Sequence, residues 1–198
     1  MKYIILSAIF FIATTTTVAQ SIESKIRIFA KKEYPDDIRV QNYIFDKQLS
    51  AYKYMMTAKD LELKGFAEKA YPDDYSTQKY IYDKQVSAKR IINTEQDDEI
   101  MRFAKSEYPD DYSMQKYIYE KQFSAKKYMN SVSDYEVLKI AKREYPNDYS
   151  MQKYIYENQL SAKEYMMNVT NSSAKRKAIE EYPNDYSMQK YIYDNSNN

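Results

Sequence analysis

Tyr108–Met129 reads YPDDYSMQKYIYEKQFSAKKYM, and Tyr145–Met166 reads YPNDYSMQKYIYENQLSAKEYM. The second stretch starts 37 residues after the first, and the same interval separates the five prolines of the chain, Pro35, Pro72, Pro109, Pro146 and Pro183. Aligned on the prolines, Tyr34, Pro35, Asp37, Gln41, Tyr43 and Ile44 recur in all five copies, and Gln48, Ser50 and Ala51 in the first four. A fixed period of this size marks a stacked array, because one such unit cannot bury its apolar face alone. The sequence therefore predicts an all-α solenoid of five tandem 37-residue two-helix repeats, the last truncated. It predicts one repeat domain over 20–198, with units at about 20–56, 57–93, 94–130, 131–167 and 168–198.

Each unit carries two helical patterns separated by the proline. In the first, helix A, Val137, Ile140 and Ala141 fall at spacings of three and four on one face. Its start recurs as Thr57 with Asp60, Thr94 with Asp97 and Ser131 with Asp134. A hydroxyl followed three residues later by an acid suits the free backbone N–H groups of a helix start. The residue before proline is pushed out of the helical region, so helix A should end near the tyrosine of each Tyr-Pro. Helix B then starts behind an aspartate N-cap, in the column Asp37, Asp74, Asp111, Asp148 and Asp185. With about 100° per residue and Ile155 at the centre, Met151, Gln152, Gln159, Ala162 and Met166 share its inner arc. Tyr154 and Tyr156 then lie on opposite flanks. The end units are more polar: Ile38 and Arg39 replace the Tyr-Ser of the motif, and Lys177 stands where Phe66, Phe103 and Ile140 stand elsewhere. Polar outer faces of this kind stop a stack from extending, which predicts a monomer.

The chain opens MKYIILSAIFFIATTTTVAQS, one lysine followed by an apolar run and small residues, the layout of a secretory signal peptide over 1–19. Retention of this segment as an anchor is the alternative. Export to the periplasm or the extracellular space is expected, with no integral span after cleavage, since the apolar run falls short of the ~20 residues that cross a bilayer. Loss of Lys2 leaves 29 basic side chains of the original 30, against 29 acidic ones. That balance argues against nucleic acid as a partner, which draws its sequence-independent affinity from excess Lys and Arg.

In kind, the array resembles the helix-turn-helix solenoids, such as tetratricopeptide and Sel1-like repeats, whose units are of similar length. The resemblance is one of architecture: the tetratricopeptide Trp, Leu-Gly and Tyr pattern is absent, and the chain has no tryptophan. It implies partner binding on an extended surface.

There is no histidine and no cysteine, which removes His-based proton transfer, thiol nucleophiles, disulfides and His- or Cys-ligated metals. Asp36-Asp37, Asp73-Asp74 and Asp110-Asp111 read as turn and capping residues ahead of calcium ligands, because no alternating acidic loop with its glycine is present. Residues repeated in every copy serve stacking before reaction, since a catalytic site is needed once and packing at every interface. No cofactor, metal or catalytic residue is expected. The Gln48, Gln85, Gln122 and Gln159 column falls on the apolar arc, where a buried amide must be hydrogen-bonded, to a backbone group or tyrosine hydroxyl of the adjacent helix, so fixing the register. The candidate ligand surface is Tyr80, Tyr117 and Tyr154 with Lys79, Lys116 and Lys153, amphipathic rings suited to a protein or peptide, or to a glycan. Asn168-Val-Thr170 and Asn171-Ser-Ser173 match the glycosylation acceptor pattern. The expected function is an exported, non-catalytic binding or scaffold module. A self-associating envelope or matrix protein and a carboxylate-dependent hydrolase are the alternatives.

Overall fold

The structure, a computed structural model, describes residues 21–196. The expected signal peptide lies outside the described residues. The chain divides into two compact units, one ending at Asn93 and the other beginning at Thr94.

Unit 1 contains α1 (residues 21–33), α2 (Ile38–Met56), α3 (Leu61–Ala70) and α4 (Tyr75–Ile92). Here α4 packs against both α2 and α3. Unit 2 contains α5 (Asp98–Glu107), α6 (Tyr112–Met129), α7 (Tyr135–Glu144), α8 (Tyr149–Asn168), α9 (Ser172–Glu181) and α10 (Tyr186–Asn195). Each short A helix packs on the B helix that follows it, α5 on α6, α7 on α8 and α9 on α10, while α8 lies against both α6 and α10. The fold is thus a helical solenoid of tandem two-helix repeats, as the period predicts. Among the described residues no helix is long and apolar enough to cross a membrane.

The helix boundaries follow from local chemistry. The B helices α2, α4, α6, α8 and α10 are N-capped by Asp37, Asp74, Asp111, Asp148 and Asp185, whose carboxylates accept backbone N–H groups of the first turn. The A helices differ from expectation at their starts. Asp60, Asp97 and Asp134 are themselves the N-caps, with Asn171 in the same role for α9. The hydroxyls three residues earlier serve the helix before: Thr57 Oγ1 and Ser131 Oγ donate to the carbonyls of Tyr54 and Tyr128, each at 2.8 Å. A carboxylate beside the positive helix end is the better cap, and the hydroxyl is left to close the preceding turn. The A helices end at Ala70, Glu107, Glu144 and Glu181, and the tyrosine before each proline leaves the helical region at φ near −135°.

The core is built of small and amphipathic side chains. Ala30, Ala67, Ala104, Ala141 and Ala178 form one buried column, and Ile26, Leu63, Ile100, Val137 and Ala174 another. Alanine on the A helix lets the B helix approach closely. Across from these columns stand Met55, Ile92, Met129 and Met166, and in unit 2 Met129, Val137, Ala141 and Tyr156 pack as one cluster. The inner arc of helix B is therefore centred nearer Tyr156 than Ile155. Tyr82, Tyr119, Tyr156 and Tyr193 are buried, whereas Ile155 is only half-buried. The physical reason lies in the hydroxyl: Tyr82, Tyr119, Tyr156 and Tyr193 accept the backbone N–H of Asp60, Asp97, Asp134 and Asn171, at 3.2–3.3 Å. The buried phenol satisfies a loop donor that an isoleucine would leave stranded.

Candidate binding surface

The invariant residues divide into those that assemble the stack and those that do not. Gln48 Nε2 donates to the cap carboxylate Asp74 at 2.7 Å, while its Oε1 accepts the backbone N–H of Ser76 at 3.0 Å. Gln122 makes the same pair of bonds to Asp148 and Ser150, and Gln159 to Asp185 and Ser187. Gln85, the remaining member of the column, is likewise buried. The amide thus reaches a backbone group of the next B helix, but its second partner is an aspartate in place of a tyrosine hydroxyl. A carboxylate already aimed at the helix start is the stronger acceptor. Asp74 is held below the usual carboxylate range: burial pushes it up, and bonds from Thr77 and Gln48 more than offset this.

A second glutamine column is structural in a way the sequence reading did not resolve. Gln41, Gln78, Gln115, Gln152 and Gln189 each donate Nε2 back across the proline turn to the carbonyl of Tyr34, Tyr71, Tyr108, Tyr145 and Tyr182, at 2.5–2.7 Å. The bond ties the end of helix A to the start of helix B. Its sequence signal was recurrence in all five copies. The prolines themselves lie exposed in these turns.

Two lysine columns are also engaged. Lys126 bonds Asp97 at 2.8 Å and Glu99 at 3.0 Å, beneath the ring of Tyr149, whose hydroxyl donates to Glu99. Lys163 holds Asp134 and Glu136 in the same way, and Lys89 holds Asp60 and Glu62. Bonds from Lys126 and Lys163 keep Glu99 and Glu136 below the ordinary glutamate range, and the acids in turn push both lysines up. The signal for this clamp, an acid pair two apart with a lysine following at a fixed distance, is present in the second, third and fourth copies. Beside the candidate tyrosines, Lys79, Lys116 and Lys153 pair with Asp83, Glu120 and Glu157 four residues on. Lys79 and Lys153 also lie over the rings of Tyr54 and Tyr128 on the neighbouring B helix, at 4.3 and 4.8 Å. These lysines brace helix to helix.

The tyrosines beside them do not. Tyr80, Tyr117 and Tyr154 are 64, 56 and 57 % exposed, and their counterparts Tyr43 and Tyr191 are as open. In unit 2, Tyr117, Tyr154 and Tyr191 stand on the successive helices α6, α8 and α10, a column of phenols whose rungs follow helix packing at about 8–10 Å. Asp36, Asp73 and Asp110 are exposed in the proline turns, and the described residues hold no group of three or more His, Cys, Asp or Glu fit for a metal ion. Asn168 and Asn171 are exposed too, Asn168 as the last residue of α8 and Asn171 as the N-cap of α9.

No protein-family model, curated protein or solved structure matches this chain. Its likeness to tetratricopeptide and Sel1-like repeats is one of architecture.

Proposed function

We propose that this protein is an exported, non-catalytic binding or scaffold module that takes another protein or a peptide on its tyrosine column. The architecture agrees with an interaction module, since helical repeats present extended surfaces without an enclosed pocket. One observation carries the reading: Tyr43, Tyr80, Tyr117, Tyr154 and Tyr191 recur in every copy, yet they remain largely exposed. Of the other columns common to all five copies, Asp37 caps a helix, Gln41 bonds across the turn, Tyr34-Pro35 forms the turn itself and Ile44 is half-buried. An exposed aromatic that assembly does not require is best explained by what it touches outside the chain, and tyrosine supplies contact area at low entropic cost.

The test is capture of partners by immobilised residues 20–198 from the medium of the source organism, beside a Tyr117→Ala, Tyr154→Ala, Tyr191→Ala variant. Loss of capture with an unchanged helical melt supports the reading. Equal capture by both refutes the role of the column. Sedimentation at rising concentration separates this module from a self-associating matrix protein, and N-terminal sequencing of secreted material beginning at Gln20 supports export with cleavage.

A further inference from the structure

In unit 1, the end of α4, the end of α2 and the loop before α3 line an open cleft of about 620 Å³. Its apolar wall is the ring of Tyr54 with Val86, and its rim carries Lys59, Lys89 and Arg90. Lys89 is held by Asp60 and Glu62, but neither Lys59 nor Arg90 forms an ion pair among the described residues. Lys59 and Arg90 thus line one concavity with no carboxylate of the described residues within 4 Å of either, beside the paired Lys89 and Asp60.

The repeat shows which of these residues the stack needs. Asp60, Tyr82 and Lys89 have counterparts in Asp97, Tyr119 and Lys126, and all six make the same structural bonds. The loop side of the rim is not repeated, whereas Lys89 and Arg90 recur as the basic pair Lys126 and Lys127. Ala58, Lys59 and Leu61 become Glu95, Gln96 and Asp98 one period on, and Val86 becomes Phe123. The corresponding loop in unit 2 is consequently lined by Glu95, Gln96 and Asp98. The frame and its two helix cations are constant while the loop trades a lysine for two acids. Positions released from packing and clustered at one mouth are where recognition can diverge.

We infer that the loop-end cleft of unit 1 binds an acidic peptide segment, a carboxylate seated between Lys59 and Arg90 and an apolar side chain against Tyr54 and Val86. The inference rests on the reading of the protein as a peptide-binding module and deepens it. The volume suits a side chain with its backbone, and a guanidinium pairs a carboxylate through two parallel bonds. Two cations are too few to hold a nucleic-acid backbone against physiological salt.

The experiment is fluorescence anisotropy of residues 20–198 with a labelled heptapeptide of six glutamates around one leucine, and with its twin of six glutamines. We expect the acidic peptide to bind at least tenfold more tightly at 50 mM NaCl. The preference should vanish in Lys59→Gln, Arg90→Gln, with an unchanged thermal melt. If both peptides bind equally and the triple tyrosine variant loses them, the module stands and the cleft inference falls. Absence of binding up to millimolar protein overturns the cleft inference and leaves the tyrosine column to its own test. Displacement by equimolar inorganic phosphate would make the cleft a general anion site and overturn the peptide reading. Concentration-dependent dimerisation that the double variant abolishes would assign the cleft to a second copy and overturn it equally.

Discussion

Tyrosine occupies two depths in one helix, and the difference is settled by where a hydroxyl can go. Tyr154 stands in solvent; Tyr156, two residues on, is buried with its oxygen on the Asp134 N–H at 3.3 Å. The first copy supplies a natural control, because Phe45 takes the place of Tyr82 and lies beneath the Arg27 guanidinium at 4.1 Å. Tyr156→Phe should therefore cost about 1–2 kcal/mol, the penalty of a stranded buried donor, read as a lower midpoint in urea at constant slope. The two glutamine columns should separate by the same logic. Gln122→Leu strips a bond from a carboxylate and another from the Ser150 N–H, so a loss of about 2–3 kcal/mol is expected. Gln115→Leu removes the bonds of one amide group while relieving an Oε1 that has no partner, and should cost about 1 kcal/mol. Equal melting temperatures for the two variants would contradict this assignment.

At the scale of helices, the sequence carried what is local and lost what depends on distant residues. Five prolines at one interval and an aspartate before each B helix were sufficient to locate the breaks and starts, because a proline constraint and a cap act within a few residues. The inner face of helix B was not legible: Tyr154 and Tyr156 flank the more apolar Ile155, and only a hydrogen bond to a residue 22 positions earlier marks Tyr156 as the buried one. The lysine clamp escaped for the same reason, since Lys163 meets Asp134 across 29 residues. The open tyrosines were readable as a column, but their exposure depends on what the neighbouring helices cover. Asp134 allows capping and clamping to be separated. Asp134→Asn should keep the cap, as Asn171 does for α9, and lose no more than about 1 kcal/mol with the Lys163 pair. Asp134→Ala removes both and should cost about 1–2 kcal/mol for the cap alone. Circular-dichroism melts of the three proteins give the order wild type, Asn, Ala.

For the whole molecule, the absence of histidine and the direction of the shifts define a pH response. Glu99 and Glu136 are depressed by their lysine bonds, so their stabilisation is present above the unfolded pKa and is lost as pH falls through the lower folded value. Lys126 and Lys163 are raised by the acids, so theirs is present below the unfolded pKa and is lost as pH rises through the higher folded value. Melting temperature should be flat from about pH 5 to about pH 9.5 and fall on both sides. A transition near pH 6.5 would contradict the clamp as the main titrating element.

The bond from each glutamine to the cap of the following B helix uses the same atoms wherever it is seen, in Gln48, Gln122 and Gln159. The junctions are therefore interchangeable: excising residues 131–167 would bring Gln122 to Asp185 in the geometry it now has with Asp148. Such a shortened chain should give a cooperative melt with its helical signal reduced by about one fifth. At the level of the gene, an unequal crossover between copies would delete or add a whole unit without creating a foreign seam, so length can drift between descendants while each joint stays chemically the same.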